Sequence, residues 1–202
     1  MGISFSKMLE NHHRRINDEA IGEFRELVRK SISDWEGKVD REWTELSPDN
    51  FIDARDVEEY KNVLDDQYYL AAQVKNLANE LAVTALFKLV EIHTKRVVEW
   101  HLPSIDSKKM FNINSLKSAL PFTLESVNNF EAFNELRELN NAIKHVGHVS
   151  EKLANNHQGL GWVQGDQFAN LDDVYERLSP KISSYMDSFA QEIYRNSERS
   201  DT

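Results

Sequence analysis

Apolar residues recur at three- and four-residue steps through almost the whole chain, and the strict alternation of a half-buried strand is scarce. The first such run goes from Ser4 to about Leu46 and is carried by Phe5, Met8, Leu9, Ile16, Ile21, Phe24, Leu27, Val28, Ile32, Trp35, Val39 and Trp43. Gly22 and Gly37 are the expected places for a break or kink, since a helical Gly costs about 1 kcal/mol relative to Ala. Ser47–Asn50, reading SPDN, is a turn signal. A second run extends from Asp53 to Leu102, through Val57, Leu64, Ala71, Ala78, Leu89 and Val97 among others. A helix of that length far exceeds the mean of about 11–12 residues, so an interruption is expected around Asp65–Gln67. Asn79–His101 is apolar enough to be a central, mostly buried helix, and Pro103 ends it.

After a loop reading SIDSKKMFNINS, a short helix at Leu116–Leu120 is stopped by Pro121. The next helix, expected to start near Thr123, contains the stretch that organises the chain, FEAFNELRELNNAIKHVGHVS from Phe130 to Ser150. Leu136, Leu139, Ala142, Ile143 and Val146 fall on one face of it. Arg137, Asn141, Lys144, His145 and, if the helix runs on past Gly147, His148 fall on the opposite arc. An ordinary solvated face is rich in Glu and Lys, whereas Asn140 and Asn141 are poor helix formers. A long loop, HQGLGWVQGDQFANLDD, with a brief extended piece at Leu160–Val163, precedes a last helix over Leu171–Tyr194 and a frayed tail. The pattern predicts an all-α protein. Residues 1–50 form an N-terminal helical extension, 51–195 a helical domain and 196–202 the tail.

Composition narrows the chemistry. The chain has 202 residues, a net charge of -10 and no cysteine. Disulfides, cysteine-bound zinc and cysteine nucleophiles are excluded, and a reducing setting is favoured. So acidic a chain is not a nonspecific DNA-coating protein, because that affinity comes from Lys and Arg on phosphates. The first residues carry no signal-peptide run, Gly2 and Ser6 match a myristoylation pattern only loosely, and no window reaches the length of a membrane span. These features predict a cytoplasmic protein. His93 and His101 stand two turns apart and His12 and His13 are adjacent, spacings that favour structural roles over a shared metal ion. No phosphate-binding glycine loop or Gly-x-Ser-x-Gly elbow occurs, so no metal and no cofactor is expected.

The segment ELRELNNAIKHVGH resembles the Arg-polar-x-x-x-His motif of the HEPN superfamily, with His145 in the His position and Asn141 as the polar residue. ELAVTALFKLVEIHTKRVVEW resembles that family's first core helix, and the likeness covers roughly Gln67–Tyr194. It implies a HEPN-like helical bundle. Where the family has Arg, five residues before His145, this chain has Asn140; the nearest Arg is Arg137.

Two functions stand open on that resemblance. The first is a metal-independent endoribonuclease of a defence or toxin–antitoxin system, working as a homodimer on RNA, with an antitoxin or other defence protein as partner. His145 would then be the acid or base, suited by its ordinary pKa near 6.5. Arg137 or Lys144 would stabilise the charge of the phosphorane, and Asn141 would orient His145 or the phosphate. Lys144, Asn140 and His148 would meet the RNA backbone. The second is a noncatalytic dimerisation or interaction module with a degenerate motif, as Asn140 in the Arg position suggests, using the Trp-rich first helix as its partner surface.

Overall fold

The computed structural model describes residues 5–53, 55–106, 110 and 112–198. Seven α-helices hold most of them: α1 (Phe5–His13), α2 (Glu19–Glu45), α3 (Asp56–His101), α4 (Ile113–Ala119), α5 (Phe130–His145), α6 (Glu151–Asn156) and α7 (Leu171–Glu198). No strand occurs among the described residues, so the protein is all-α. No helix among them is long and apolar enough to cross a membrane. Gly2 and the end of the tail, residues 199–202, lie outside the described residues.

The chain divides into two compact units. The first comprises Met1–Asp18 and Val83–Thr202. Its centre is the pair α5 and α7, where Leu136, Leu139, Leu178, Ile182, Tyr185, Met186, Phe189 and Ile193 are all fully buried. The Phe133 and Tyr185 rings stack with centroids 4.6 Å apart, an arrangement that adds about 0.5–1.5 kcal/mol to simple burial. α7 continues through Pro180. A Pro in a helix interior costs about 3 kcal/mol, and here Leu178 and Ile182, both with no exposed surface, hold the helix on either side of it.

The second unit, Glu19–Ala82, is an antiparallel hairpin of α2 and the first half of α3. Ile32 and Val39 on α2 and Leu64, Ala71 and Ala78 on α3 are buried at seven-residue spacing, the repeat of a supercoiled helix pair. Trp35 Nε1 donates to Gln67 Oε1 at 3.2 Å and the Tyr60 hydroxyl donates to Glu42 at 2.7 Å, which fixes the register. The Tyr68 hydroxyl donates to Asp40, and that bond pushes the phenol pKa up to about 12. In the connection, Ser47 Oγ accepts from the Asp49 N–H to cap a single turn at Pro48–Asn50, and Asp53 accepts from the Arg55 backbone and guanidinium.

Several boundaries differ from the periodicity. The first helical region breaks at Arg14–Asp18, not at Gly22 or Gly37. The cause is tertiary: Arg14 Nε donates to Asp187 Oδ1 at 2.6 Å, and the Asp18 carboxylate accepts from the hydroxyls of Ser179 and Tyr175. The expected interruption at Asp65–Gln67 is absent, and α3 runs for 46 residues. Neither Gly nor Pro stands anywhere in it, and a length average yields to a sequence with no breaker. α5 starts at Phe130 rather than near Thr123, because Asn129 takes a left-handed conformation (φ 58°) and Leu124–Ser126 forms a separate 3-10 turn. Leu160–Val163 is turn and coil rather than an extended piece. The periodicity also passes over α6, a six-residue helix capped by Ser150 Oγ, which accepts from the Leu153 N–H at 3.2 Å. Ser150→Ala is expected to cost about 1 kcal/mol in urea denaturation, and a change below about 0.3 kcal/mol would show the cap to be idle.

Candidate functional site on α5

α5 is buried on more than its apolar face. Nine of its sixteen residues are buried: the expected Leu136, Leu139 and Ala142, and also Glu135, Glu138 and Asn140. A buried carboxylate persists only when paired and hydrogen-bonded, and both glutamates are. Glu135, 1% exposed, accepts two hydrogen bonds from the Arg177 guanidinium at 2.6 and 2.8 Å and one from Trp162 Nε1 at 2.9 Å. That pairing raises the Arg177 pKa. Glu138 accepts from Arg137 Nη2 at 3.0 Å and from Asn156 Nδ2 at 2.9 Å. His157 Nε2 lies 3.2 Å from its other oxygen, and Lys152 Nζ lies 3.6 Å away.

These contacts tie α5 to the segments on its C-terminal side. Glu138 grips the end of α6 and the residue beyond it; Glu135 grips Trp162 in the glycine-containing loop and Arg177 on α7. A backbone pair completes the clamp, with the Val149 N–H donating to Asp166 O and the Gly165 N–H to Val149 O, both at 2.9 Å. Trp162, Asp166, Gln167, Asn170, Asp173 and Arg177 line a cavity of about 390 Å³ beside it.

The sequence-predicted site residues scatter around this network. His145 is exposed on the last turn of α5, with Lys144 beside it and Asn141 exposed one turn earlier. Gly147, at φ 77°, ends the helix by the left-handed geometry that Gly adopts most easily, and its N–H donates to Ala142 O at 2.9 Å. His148 therefore leaves the helix and is half-buried. Arg137 stands eight residues before His145, about 12 Å along the axis at 1.5 Å per residue. Its side chain is 14% exposed, and Nη2 donates both to Asn134 Oδ1 at 2.8 Å and to Glu138. Asn140 is 1% exposed, with its Oδ1 lacking a hydrogen-bond partner. Thus His145, Asn141 and Lys144 share an exposed surface, while Arg137 is half-buried and Asn140 is buried.

A second polar cluster lies where α1 meets the end of α3 and α7. His13, 2% exposed, has Nδ1 3.0 Å from the Tyr194 hydroxyl and 3.3 Å from His101 Nε2. His93 Nε2 donates to the His13 carbonyl at 2.7 Å. Burial, aided by the neighbouring His101, His93, His12 and Arg96, lowers the His13 pKa to about 4. Burial lowers those of His93 and His101 as well. The two-turn spacing of His93 and His101 was visible in the sequence; that His13 joins them, 80 residues away, was not. Among the described residues, no group of three or more His, Cys, Asp or Glu is placed to hold a metal ion.

No protein-family model, curated protein or solved structure matches the chain.

Proposed function

We propose that this chain is a noncatalytic helical interaction module carrying a degenerate HEPN-like motif, not a metal-independent endoribonuclease. The observation that carries this reading is the engagement of Arg137. Its Nη2 serves both Glu138 and Asn134, its buried Nε has no hydrogen-bond partner, and its side chain also lines a small, partly open cavity with Glu91, Thr94 and Phe133. A cation that stabilises a developing phosphorane must be aimed at the reacting phosphate beforehand. Committed to a buried carboxylate a dozen ångströms along the helix from His145, Arg137 is a structural residue. Asn140, in the position of the family's Arg, is buried and carries no charge. His145 and Lys144 remain as an exposed pair, sufficient for a weak anion contact and short of the acid, base and cation set that cleavage needs.

The test is cleavage of a mixed-sequence RNA in EDTA by purified protein beside His145→Ala. We expect neither protein to cut. Cleavage by the wild type that leaves 2′,3′-cyclic phosphate ends and disappears in the variant would overturn the reading and restore His145 as a catalytic residue.

A further inference from the structure

The hairpin Glu19–Ala82 has more apolar surface than its own two helices cover. On α3, Leu64, Ala71 and Ala78 face α2 and are buried. Val63, Leu70, Val74, Leu77 and Leu81 form a second stripe, rotated about 60–100° from the first at 100° per residue, and are 49, 47, 37, 56 and 51% exposed. Their spacing of seven, four, three and four residues is that of a helix seam made to receive another helix. The bonds from Trp35 to Gln67 and from Tyr60 to Glu42 set the antiparallel register. By that register Phe24, 37% exposed, lies level with Ala78 and on the same edge of the hairpin. Between Asp66 and Lys88 only Lys75 and Glu80 are charged, in a chain that is 29% charged overall. Loss of charge at the centre of a patch distinguishes an interface from ordinary surface.

Charge decides between occupants. Residues 19–82 contain eight Lys and Arg against sixteen Asp and Glu, a net of -8 of the whole chain's -10. Exposed Glu45, Glu59 and Asp66 stand toward the turn end of the same edge, with exposed Lys38, two heptads on from Phe24, beside them. A second copy would set -8 against -8, and an anionic lipid surface would repel it too. The six apolar side chains present on the order of 500 Å², the size of a functional patch and below the roughly 800 Å² per partner of a stable dimer. One helix covers that area. We propose that the α2–α3 hairpin is a docking surface for a basic amphipathic helix of a partner protein. The apolar residues of that helix, at i, i+3, i+4 and i+7, seat on the Val63–Leu81 stripe, and its Lys and Arg face the acidic rim. The inference rests on the interaction-module reading and names the partner's chemistry.

The test uses the full chain and two labelled helical peptides of about 20 residues with the same Leu stripe, one rimmed with Lys and Arg and the other with Glu. Fluorescence anisotropy is expected to show saturable binding of the basic peptide alone. That binding should weaken at least tenfold in Val74→Lys/Leu77→Lys, and weaken as salt rises from about 50 to about 300 mM, where screening shortens to a few ångströms. Circular dichroism checks that the variant keeps its helix; Leu70→Gln, which adds no charge, is the second variant if it does not. Failure to bind the basic peptide, equal binding of the acidic one, or binding indifferent to both variants overturns the proposal. So does a wild-type dimer in sedimentation that the variants dissociate, since the occupant would then be a second copy. Failure of peptide binding together with RNA cleavage sinks the interaction-module reading as well; failure without cleavage sinks only this surface.

Discussion

Replacing Arg177 with Ala is expected to destabilise the Val83–Thr202 region by about 3 kcal/mol, the cost of leaving a buried charge without its partner. Glu135 is the reason. Its side chain is 2% exposed and three donors converge on it, two from Arg177 and one from Trp162. Without the guanidinium, one indole N–H remains to stabilise a carboxylate shut away from water. The Arg177 side chain is itself 31% exposed, so water entering the space it vacates holds the loss to the lower part of the 3–5 kcal/mol range for such breaks. The apolar double replacement Glu135→Leu/Arg177→Leu removes both charges together and is expected to recover most of that loss. Urea denaturation of the two single variants and the double closes the cycle. An Arg177→Ala loss under about 1 kcal/mol, or a double variant weaker than the sum of the singles, would show that Glu135 does not depend on this partner.

The same pair marks the limit of what the sequence discloses. Leu136, Leu139 and Ala142 were legible as a core face because helical periodicity is local and hydrophobicity alone sorts it. Glu135 and Glu138 were not, since a charged residue on a helix reads as solvated until its partners are known. Those partners lie 42 and 19 residues further on, at Arg177 and His157. Arg137 shows the complementary error. On a helical wheel it falls with Asn141 and His145, but a long side chain goes where its charge is met, and Glu138 meets it inside. Helix ends followed the same division. Pro103 and Gly147 announced theirs by backbone chemistry. The break at Arg14–Asp18 is held by contacts with α7, beside Asn17 and Asp18, residue types that favour a helix start. The length of α3 follows from the absence of any breaker from Asp56 to His101, which outweighs the average helix length.

Acid is expected to loosen α1 before it unfolds the rest of its unit. His13 is held neutral, with its pKa lowered to about 4 from the ordinary 6.5. The folded state therefore binds fewer protons than the unfolded one between those values, so stability is full above pH 6.5 and falls as the pH drops toward 4. The geometry explains why. His13 Nδ1 faces both the Tyr194 hydroxyl and His101 Nε2. One shared proton satisfies that pair of nitrogens, whereas protonating both rings turns two donors toward each other. The surrounding groups do not relieve this. His12, His93 and Arg96 add to the positive potential, and Glu10, the nearby acid, already pairs with Arg14 at 3.7 Å. The lowered pKa values of His93 and His101 act in the same direction. Hydrogen exchange of α1 amides, compared at pH 7.0 and 5.0 after correction for intrinsic rates, is the measurement; the window stays above the range in which most carboxylates titrate. Exchange should accelerate in α1 ahead of α5, and His13→Gln, neutral throughout, should show a smaller acceleration. Equal acceleration in α1 and α5, or no difference between wild type and His13→Gln, would mean that the histidine cluster does not govern the docking of this helix.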